Sequence, residues 1–411
     1  MNIAIPLIRM TVGELLARIS LLLIVILWSI PTFGLLVSSF RTRDAIATTG
    51  WWTSLRTNVQ TAVFRTGTEG EQVGEEYVIS GTHFEDSRIA ENATITAFGT
   101  TANNPSEFVA GETVPLDDGG SITIYADGRY ELRLPQQPER GLRFSFTANV
   151  PSRYTLANYT DILIAPPGSD RNVWEAFINT FTVTIPSTII PIAVALFAAY
   201  AFSWMNFPGR LVLFAVVVGL LVVPLQMSLI PLLRLYANNA TFLNENLIQV
   251  LNTGILADSG FQLAELRPKS YLGIWLAHTG FGLPLAIYLL RNYIGSLPKE
   301  IIESAQIDGA SHFTIFTRLI LPLSLPAIAS FSIFQFLWVW NDLLVALVFL
   351  TKDPNQIVLT SRLREYLGSR GGDWDVLSAS AFISIAVPIM VFFALQRYFV
   401  RGLLAGSVKG G

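Results

Sequence analysis

Residues 19–40 read ISLLLIVILWSIPTFGLLVSSF, a run of 22 residues without a charge. A helix of about 20 apolar residues crosses the hydrocarbon core of a bilayer, since each residue rises about 1.5 Å. Five more runs of this kind follow, at 176–209, 211–233, 270–290, 319–341 and 376–396. The second is longer than one crossing needs, so part of it should lie outside the core. The fifth continues in apolar character past Asp342 to Leu350. Composition points the same way: 51% of residues are hydrophobic and 14% charged, with mean hydropathy +0.49. Ordinary soluble domains carry about a quarter charged residues. A soluble fold would have to bury six such helices in one chain. The pattern instead predicts an all-α polytopic membrane protein with six transmembrane helices. Arg9 and Arg18 precede the first run, as in a signal peptide. However, the run exceeds a usual signal core and Ser38-Ser39-Phe40 is not a small-residue exit, so an uncleaved first span is the better reading.

Orientation follows from Arg and Lys near the span ends. With the N-terminus inside, Arg9, Arg18, Arg210, Arg291, Lys299, Arg318, Arg397, Arg401 and Lys409 fall on the cytoplasmic side. Arg41, Arg43, Lys352, Arg362, Arg364 and Arg370 fall outside, so the rule is obeyed only as a whole pattern. Both termini are expected in the cytoplasm. With no cysteine and three scattered histidines (His83, His278, His312), neither a disulfide nor a metal site is expected. No Gly-rich phosphate loop, nucleophile triad or His-Glu-x-x-His occurs, so neither catalysis nor a bound cofactor is expected. A net charge of −3 gives no sign of a nucleic-acid partner.

Between the first two runs lies a polar segment, 41–170, with ten Arg, no Lys and 17 acidic residues, a net charge of −7. Its pattern is β. Ser121-Ile122-Thr123-Ile124-Tyr125 and Tyr130-Glu131-Leu132-Arg133-Leu134 flank Asp127-Gly128, a strong hairpin signal. Tyr77-Val78-Ile79, Ala93-Thr94-Ile95-Thr96 and Leu142-Arg143-Phe144-Ser145-Phe146 read as further strands. The organisation predicted is therefore a tail and first span (1–40), an extracytoplasmic β-rich insert (41–170), a five-helix core (171–400) and a cytoplasmic tail (401–411). The insert is either passive or a docking element.

Between the fourth and fifth runs comes Ser296-Leu297-Pro298-Lys299-Glu300-Ile301-Ile302-Glu303-Ser304-Ala305-Gln306-Ile307-Asp308-Gly309-Ala310. Ser296 can cap a helix with Pro298 in its first turn, Gly309 can end it, and Ser311 can cap a second short helix. Two short helices meeting at a glycine make a knob suited to a partner's groove. This stretch resembles the EAA loop of ABC importer permeases. Glu303-Ser304-Ala305, Gly309 and Leu319-Ile320-Leu321-Pro322 keep every spacing of that motif, with Ser304 replacing an Ala and Leu319 an Ile. The resemblance implies the ABC type I importer permease fold. It also implies that the loop, 292–322, docks on a cytoplasmic ATPase dimer through Glu303, Ser304, Ala305, Asp308, Gly309 and Ala310, supported by Leu321 and Pro322.

The likeness to carbohydrate-type permeases continues in Thr155-Leu156-Ala157-Asn158-Tyr159, Asn206-Phe207-Pro208-Gly209-Arg210, Trp340-Asn341-Asp342 and the C-terminal stretch from Gly402. It covers the chain outside the insert and implies the second permease of a maltose-type system. Such a subunit sits in a bacterial inner membrane with a second permease, and an extracytoplasmic binding protein delivers a di- or oligosaccharide. Residues 39–52 are similar to α-glucoside permeases, those importing trehalose, sucrose or maltose. Candidates for the pathway are Asn179, Gln226, His278, Asn341 and Asp342. Intramembrane polar groups are costly, and breaks near Pro224, Pro231 and Pro284 are tolerated where they line a cavity. Asn341 and Asp342 could equally cap a bend, and His278 could simply be packed. A secondary carrier or channel is the competing reading; it predicts internal repeats and several buried charges. A membrane-anchored receptor predicts simpler spans.

Overall fold

A computed structural model describes residues 11–82, 93–101, 104–117, 119–152, 154–169, 171–254, 256, 262–368 and 373–407. His83, and Arg9, Arg370 and Lys409, counted for orientation, lie outside the described residues, as do tail residues 408–411. The chain divides into two units, Met1–Asn158 with Asp373–Ala379, and Tyr159–Gly372 with Ser380–Gly411.

The first unit opens with helix α1 (Val12–Ser39). Thr11 and Glu14 form a reciprocal capping box: the Thr11 hydroxyl accepts from the Glu14 amide, and the Glu14 carboxylate accepts from the Thr11 amide. The cap starts the helix before its apolar run, and the large side chains of that run are mostly exposed. After a short helix α2 (Arg43–Thr48) come, among the described residues, nine strands: β1 (Asn58–Arg65), β2 (Glu71–Val73), β3 (Glu76–Thr82), β4 (Thr94–Gly99), β5 (Phe108–Val109), β6 (Thr113–Pro115), β7 (Ser121–Ile124), β8 (Arg129–Leu134) and β9 (Arg143–Val150). They form two antiparallel sheets ordered β1-β9-β4-β5 and β2-β3-β8-β7-β6.

Period-two alternation turns Tyr130, Leu132 and Leu134 inward. These meet Phe64, Ile79, Ile95, Phe98, Ile122, Phe144 and Phe146 in one buried cluster. Each such side chain contributes about 1.5–3 kcal/mol of transfer free energy, enough for the segment to hold a core of its own. The hairpin read from Asp127-Gly128 is present, with Ile124 opposite Tyr130. Gly128 takes φ +90°, open to glycine at no steric cost. The Arg129 backbone N–H, with its guanidinium next, holds the Asp127 carboxyl below its ordinary pKa.

The strands leave and rejoin the helical chain at a closed neck. The Thr155 amide donates to the Phe40 carbonyl at 2.7 Å, and Arg41 bridges Tyr154 antiparallel. The buried Asn158 amide group donates to the carbonyls of Ser39 (2.9 Å) and Arg41 (2.8 Å). Helix α3 (Ala157–Leu163) follows directly.

The second unit is helical. Helix α4 (Val173–Trp204) starts on Asn172, whose side chain accepts from the Glu175 amide. It packs against α8 (Tyr271–Ile294) and α12 (Leu325–Trp340). Also present are α5 (Arg210–Leu220), α6 (Leu225–Leu243), α7 (Gln249–Thr253), α9 (Lys299–Ile307), α10 (His312–Ile315), α11 (Leu321–Leu323), α13 (Leu344–Phe349), α14 (Leu359–Gly368) and α15 (Trp374–Ser407), the last beginning in the first unit.

Among the described residues, four helices (α1, α4, α8 and α15) are singly long and apolar enough to cross a bilayer. The other two predicted runs are not straight spans. Run 211–233 bends by 109° between α5 and α6, and run 319–341 bends by 70° between His312–Leu323 and α12. Proline accounts for both breaks. Pro224 has no N–H to continue α5 and forces Val223 toward an extended backbone. Pro326 removes the donor that the Pro322 carbonyl needs, and the chain turns at Ser324.

Asn158→Ala deletes the two neck hydrogen bonds that this side chain makes, to the carbonyls of Ser39 and Arg41. The cost should be about 2 kcal/mol, read as a lowered thermal midpoint and faster proteolysis of the purified chain. An unchanged midpoint would remove the neck from the list of stabilising contacts.

Candidate functional site

The loop between α8 and α12 is built on isoleucines. Ile302 is buried on α9 and packs in one cluster with Ile294, Ile315 and Ile320, with Ala305 and Ala310 at its margin. That orientation turns Glu300, Glu303 and Ile307, spaced i, i+3, i+7, to the outside. The helix begins after Pro298 and not at Ser296. The Ser296 hydroxyl donates instead to the Tyr293 carbonyl at 2.7 Å, closing the end of α8. With Pro298 itself extended at the cap position, Ser296 stands too far upstream to reach the first free amides.

At its other end α9 closes in a Schellman motif. The Ala310 amide donates to the Ala305 carbonyl (2.9 Å) and the Gly309 amide to Gln306 (3.0 Å). This geometry needs a left-handed residue, and Gly309 supplies it at φ +77°. Ser311 then caps α10 by accepting from the Thr314 amide, as its position predicts. A π-turn, Phe316–Ile320, carries the chain to α11, where Leu321 is half-buried and Pro322 exposed. The loop is bolted to α4: the Tyr200 hydroxyl bonds the His312 ring at 2.9 Å, and Phe197 stacks on Phe316 at 4.7 Å.

The intramembrane candidates fall in three places. Asn179 donates to the carbonyls of Pro354 (2.9 Å) and Ile357 (3.0 Å) and accepts from Tyr271 (2.9 Å), tying down the loop before α14. Gln226 stands exposed in the first turn of α6. His278 and Asp342 are brought together, with Nε2 to Oδ2 at 3.7 Å. His278 is 1% exposed, stacks on Trp338 at 5.3 Å, and has no hydrogen bond at either ring nitrogen. Asp342 accepts from the Val345 amide at 3.0 Å and so caps α13, while Asn341 donates to the Leu337 carbonyl at 2.8 Å. A cavity of about 580 Å³ opens between the α5–α6 break and α8, with Phe281, Gln335 and Trp338 in its wall.

Residues 163–404 match the family described as "Binding-protein-dependent transport system inner membrane component". The chain belongs to that family. It is a permease subunit of an ATP-driven, binding-protein-dependent importer, a transport component and not an enzyme. It is 54% identical to the alpha-glucoside transport system permease protein AglG of Rhizobium meliloti (strain 1021), over 96% of this chain and 97% of that protein. It is 56% identical to the osmoprotective compounds uptake permease protein GgtD of Synechocystis sp. (strain ATCC 27184 / PCC 6803 / Kazusa), over 63% and 76% of the two chains. A solved bacterial ABC transporter importing alginate aligns at 16% identity and TM-score 0.44 over 60% of this chain and 84% of that one, a likeness too loose to carry weight.

Three residues of the permease escaped the sequence reading. Ile307 and Phe313 stand 86% and 69% exposed on either side of the Gly309 bend. Their signal was available: Ile307 falls off the buried stripe of α9, and Phe313 is the second residue of a four-residue helix too short to cover it. Gln335 is the third, a lone amide inside an apolar run. It is buried, donates to the Ser187 carbonyl at 3.0 Å, and presses on Gly282, where a Cβ would come within 2.7 Å of it.

Gly309→Ala should cost about 1–2 kcal/mol, because the left-handed backbone is closed to a side chain. Gly280→Ala, with open space at its Cβ position inside α8, should be neutral or stabilising by up to about 1 kcal/mol. Thermal unfolding of the two variants side by side checks this, and equal midpoints would show the Schellman turn to be dispensable.

Proposed function

We propose that this permease forms half of an import path for an α-glucoside, a di- or oligosaccharide of the trehalose, sucrose or maltose kind. The observation that carries the sugar class is the 54% identity to a permease named for alpha-glucosides, which runs through the insert as well as the core. In this reading each bent pair is one span, giving six in all. The termini lie in the cytoplasm, the membrane is a bacterial inner membrane, and the β unit stands outside. A second permease completes the path. The ATPase dimer grips α9 and its bend, and an extracytoplasmic binding protein delivers the sugar.

Coupling is mechanical. ATP closes the ATPase dimer, the loop moves with it, and its mounting on α4 through Tyr200, His312, Phe197 and Phe316 passes the motion to the spans as rigid-body rocking. Glu303, Ser304, Ala305, Asp308, Gly309 and Ala310 form the docking knob, backed by Leu321 and Pro322. Ile307 and Phe313 supply its apolar anchors, since large exposed side chains on a rigid knob are the usual hot spots of a docking surface. Asn179, Gln226, His278, Asn341 and Asp342 remain the pathway set, to which Gln335 and Trp338 are added.

Two experiments bear on this. Ile307→Asp and Phe313→Asp should leave the permease folded, because both side chains are exposed, while weakening ATPase co-purification about thirtyfold, the equivalent of a ~2 kcal/mol contact. If both variants hold the ATPase as tightly as wild type, the knob is misplaced. Separately, ATPase activity of the reconstituted complex should rise with binding protein loaded with trehalose, sucrose or maltose. Stimulation by none of the three would end the α-glucoside assignment and leave the permease reading standing.

A further inference from the structure

The segment between α1 and β1 is tied down by contacts of its own. Immediately after α1, the Arg41 guanidinium reaches forward to the carbonyls of Ala45 (2.7 Å) and Thr49 (3.1 Å) and to the Thr49 hydroxyl, closing α2 into a tight turn. The chain then doubles back. Trp51, in the 3₁₀ turn Trp51–Thr53, lies against α1, edge-on to Phe33 at 5.9 Å. Gly34 makes the seat: a Cβ there would fall 2.6 Å from the indole nitrogen of Trp51.

Gly34 lies five residues before the end of α1 at Ser39, so the ring rests about 7.5 Å down the helix axis from that end. This level is inside the charge-free run 19–40. Trp52 stands edge-on to Trp51 at 6.1 Å and is 71% exposed, and Leu55 is 88% exposed. Arg43, Asp44 and Arg56, also exposed, give the same segment a charged side. Two hydrogen bonds fix it to the returning chain: Tyr154 hydroxyl to Ser54 carbonyl (2.8 Å) and Ser152 hydroxyl to Arg56 carbonyl (3.1 Å).

We propose that residues 43–55 are an interfacial anchor, with Trp52 and Leu55 inserted into the lipid beside α1. Lipid is the occupant because Trp51, edge-on to Trp52, seats the segment on α1 beside Phe33, and Leu27, Trp28 and Phe33 of that helix are exposed. An indole with charged neighbours suits the headgroup boundary, and amphipathic segments settle about 5–10 Å into it. The anchor would hold the neck of the β unit at a fixed height on the membrane. This rests on the reading of α1 as a membrane span.

The test is spin-label accessibility in the full chain reconstituted in phosphatidylcholine vesicles. The sequence has no cysteine, so single labels at Trp52→Cys, Leu55→Cys, Leu23→Cys on α1 and Glu71→Cys on β2 are unambiguous. Labels at 52 and 55 should collide with oxygen and be shielded severalfold from a water-soluble nickel chelate relative to the label at 71. Chelate access equal to that at 71 would overturn the anchor, and so would exclusion of both reagents, since protein would then cover the site. Chelate access at 23 would instead count against the span itself. If the cysteine variants do not fold, Trp52→Phe serves. Wild-type fluorescence should be quenched more than that of the variant by lipids brominated on the acyl chain, and equal quenching would overturn the proposal.

Discussion

Hydrocarbon offers no water to a free N–H or C=O, so every place where a membrane helix ends or breaks must supply its own partners. Much of the polar chemistry in the helical unit answers this demand. Where α5 stops before Pro224, the amides of Leu221, Val222 and Val223 tighten onto carbonyls three residues back. Where the chain resumes after Asn341, Asp342 takes the Val345 amide. Where it enters α14, the Thr180 hydroxyl takes the Leu359 amide, and Asn179 takes the carbonyls of Pro354 and Ile357. A polar residue in an apolar run is therefore as much a sign of a nearby break as of a transported ligand.

The same constraint shapes the coupling loop from the other direction. Outside the apolar runs the chain is free to bend, yet α9 and α10 are held as firmly as the core, by the isoleucine cluster beneath and by Tyr200 and Phe197 at the side. Force applied to a loosely tethered loop would be spent in moving the loop. Mounted this way, its displacement is a displacement of α4.

How much of this was legible in the sequence follows from the range of each signal. Charge-free length and period-two alternation are local, so the apolar runs and the Asp127-Gly128 hairpin could be read directly. Glycine at 309 was legible because helix termination is local too. The break near Pro224 was legible too, whereas Pro231 and Pro284, read the same way, stay inside α6 and α8, and neither bend angle was legible. A proline says that a helix is interrupted, while the angle of 109° or 70° is set by what packs against each half. Ser296 misled for a related reason, since either neighbouring helix end could use its hydroxyl and α8 holds it. The partners of Asn179 lie more than 90 residues away, beyond any spacing rule.

One group of polar side chains does not fit the repair of helix breaks. Between α4, α8 and α12, the hydroxyls of Thr184 and Ser187 and both ring nitrogens of His278 are buried without a hydrogen bond, while Asp342 stops 3.7 Å short of the imidazole. Each unpaired group costs about 1–3 kcal/mol. A fold optimised for one state would have replaced them with carbon. His278 stacks on Trp338 and the Ser187 carbonyl accepts from Gln335, two residues in the wall of the cavity between the α5–α6 break and α8. An interface with two arrangements cannot satisfy every polar group in both, because partners that suit one packing are out of reach in the other. Unspent hydrogen-bonding capacity at this place is what the proposed alternating pathway would leave behind in one of its states.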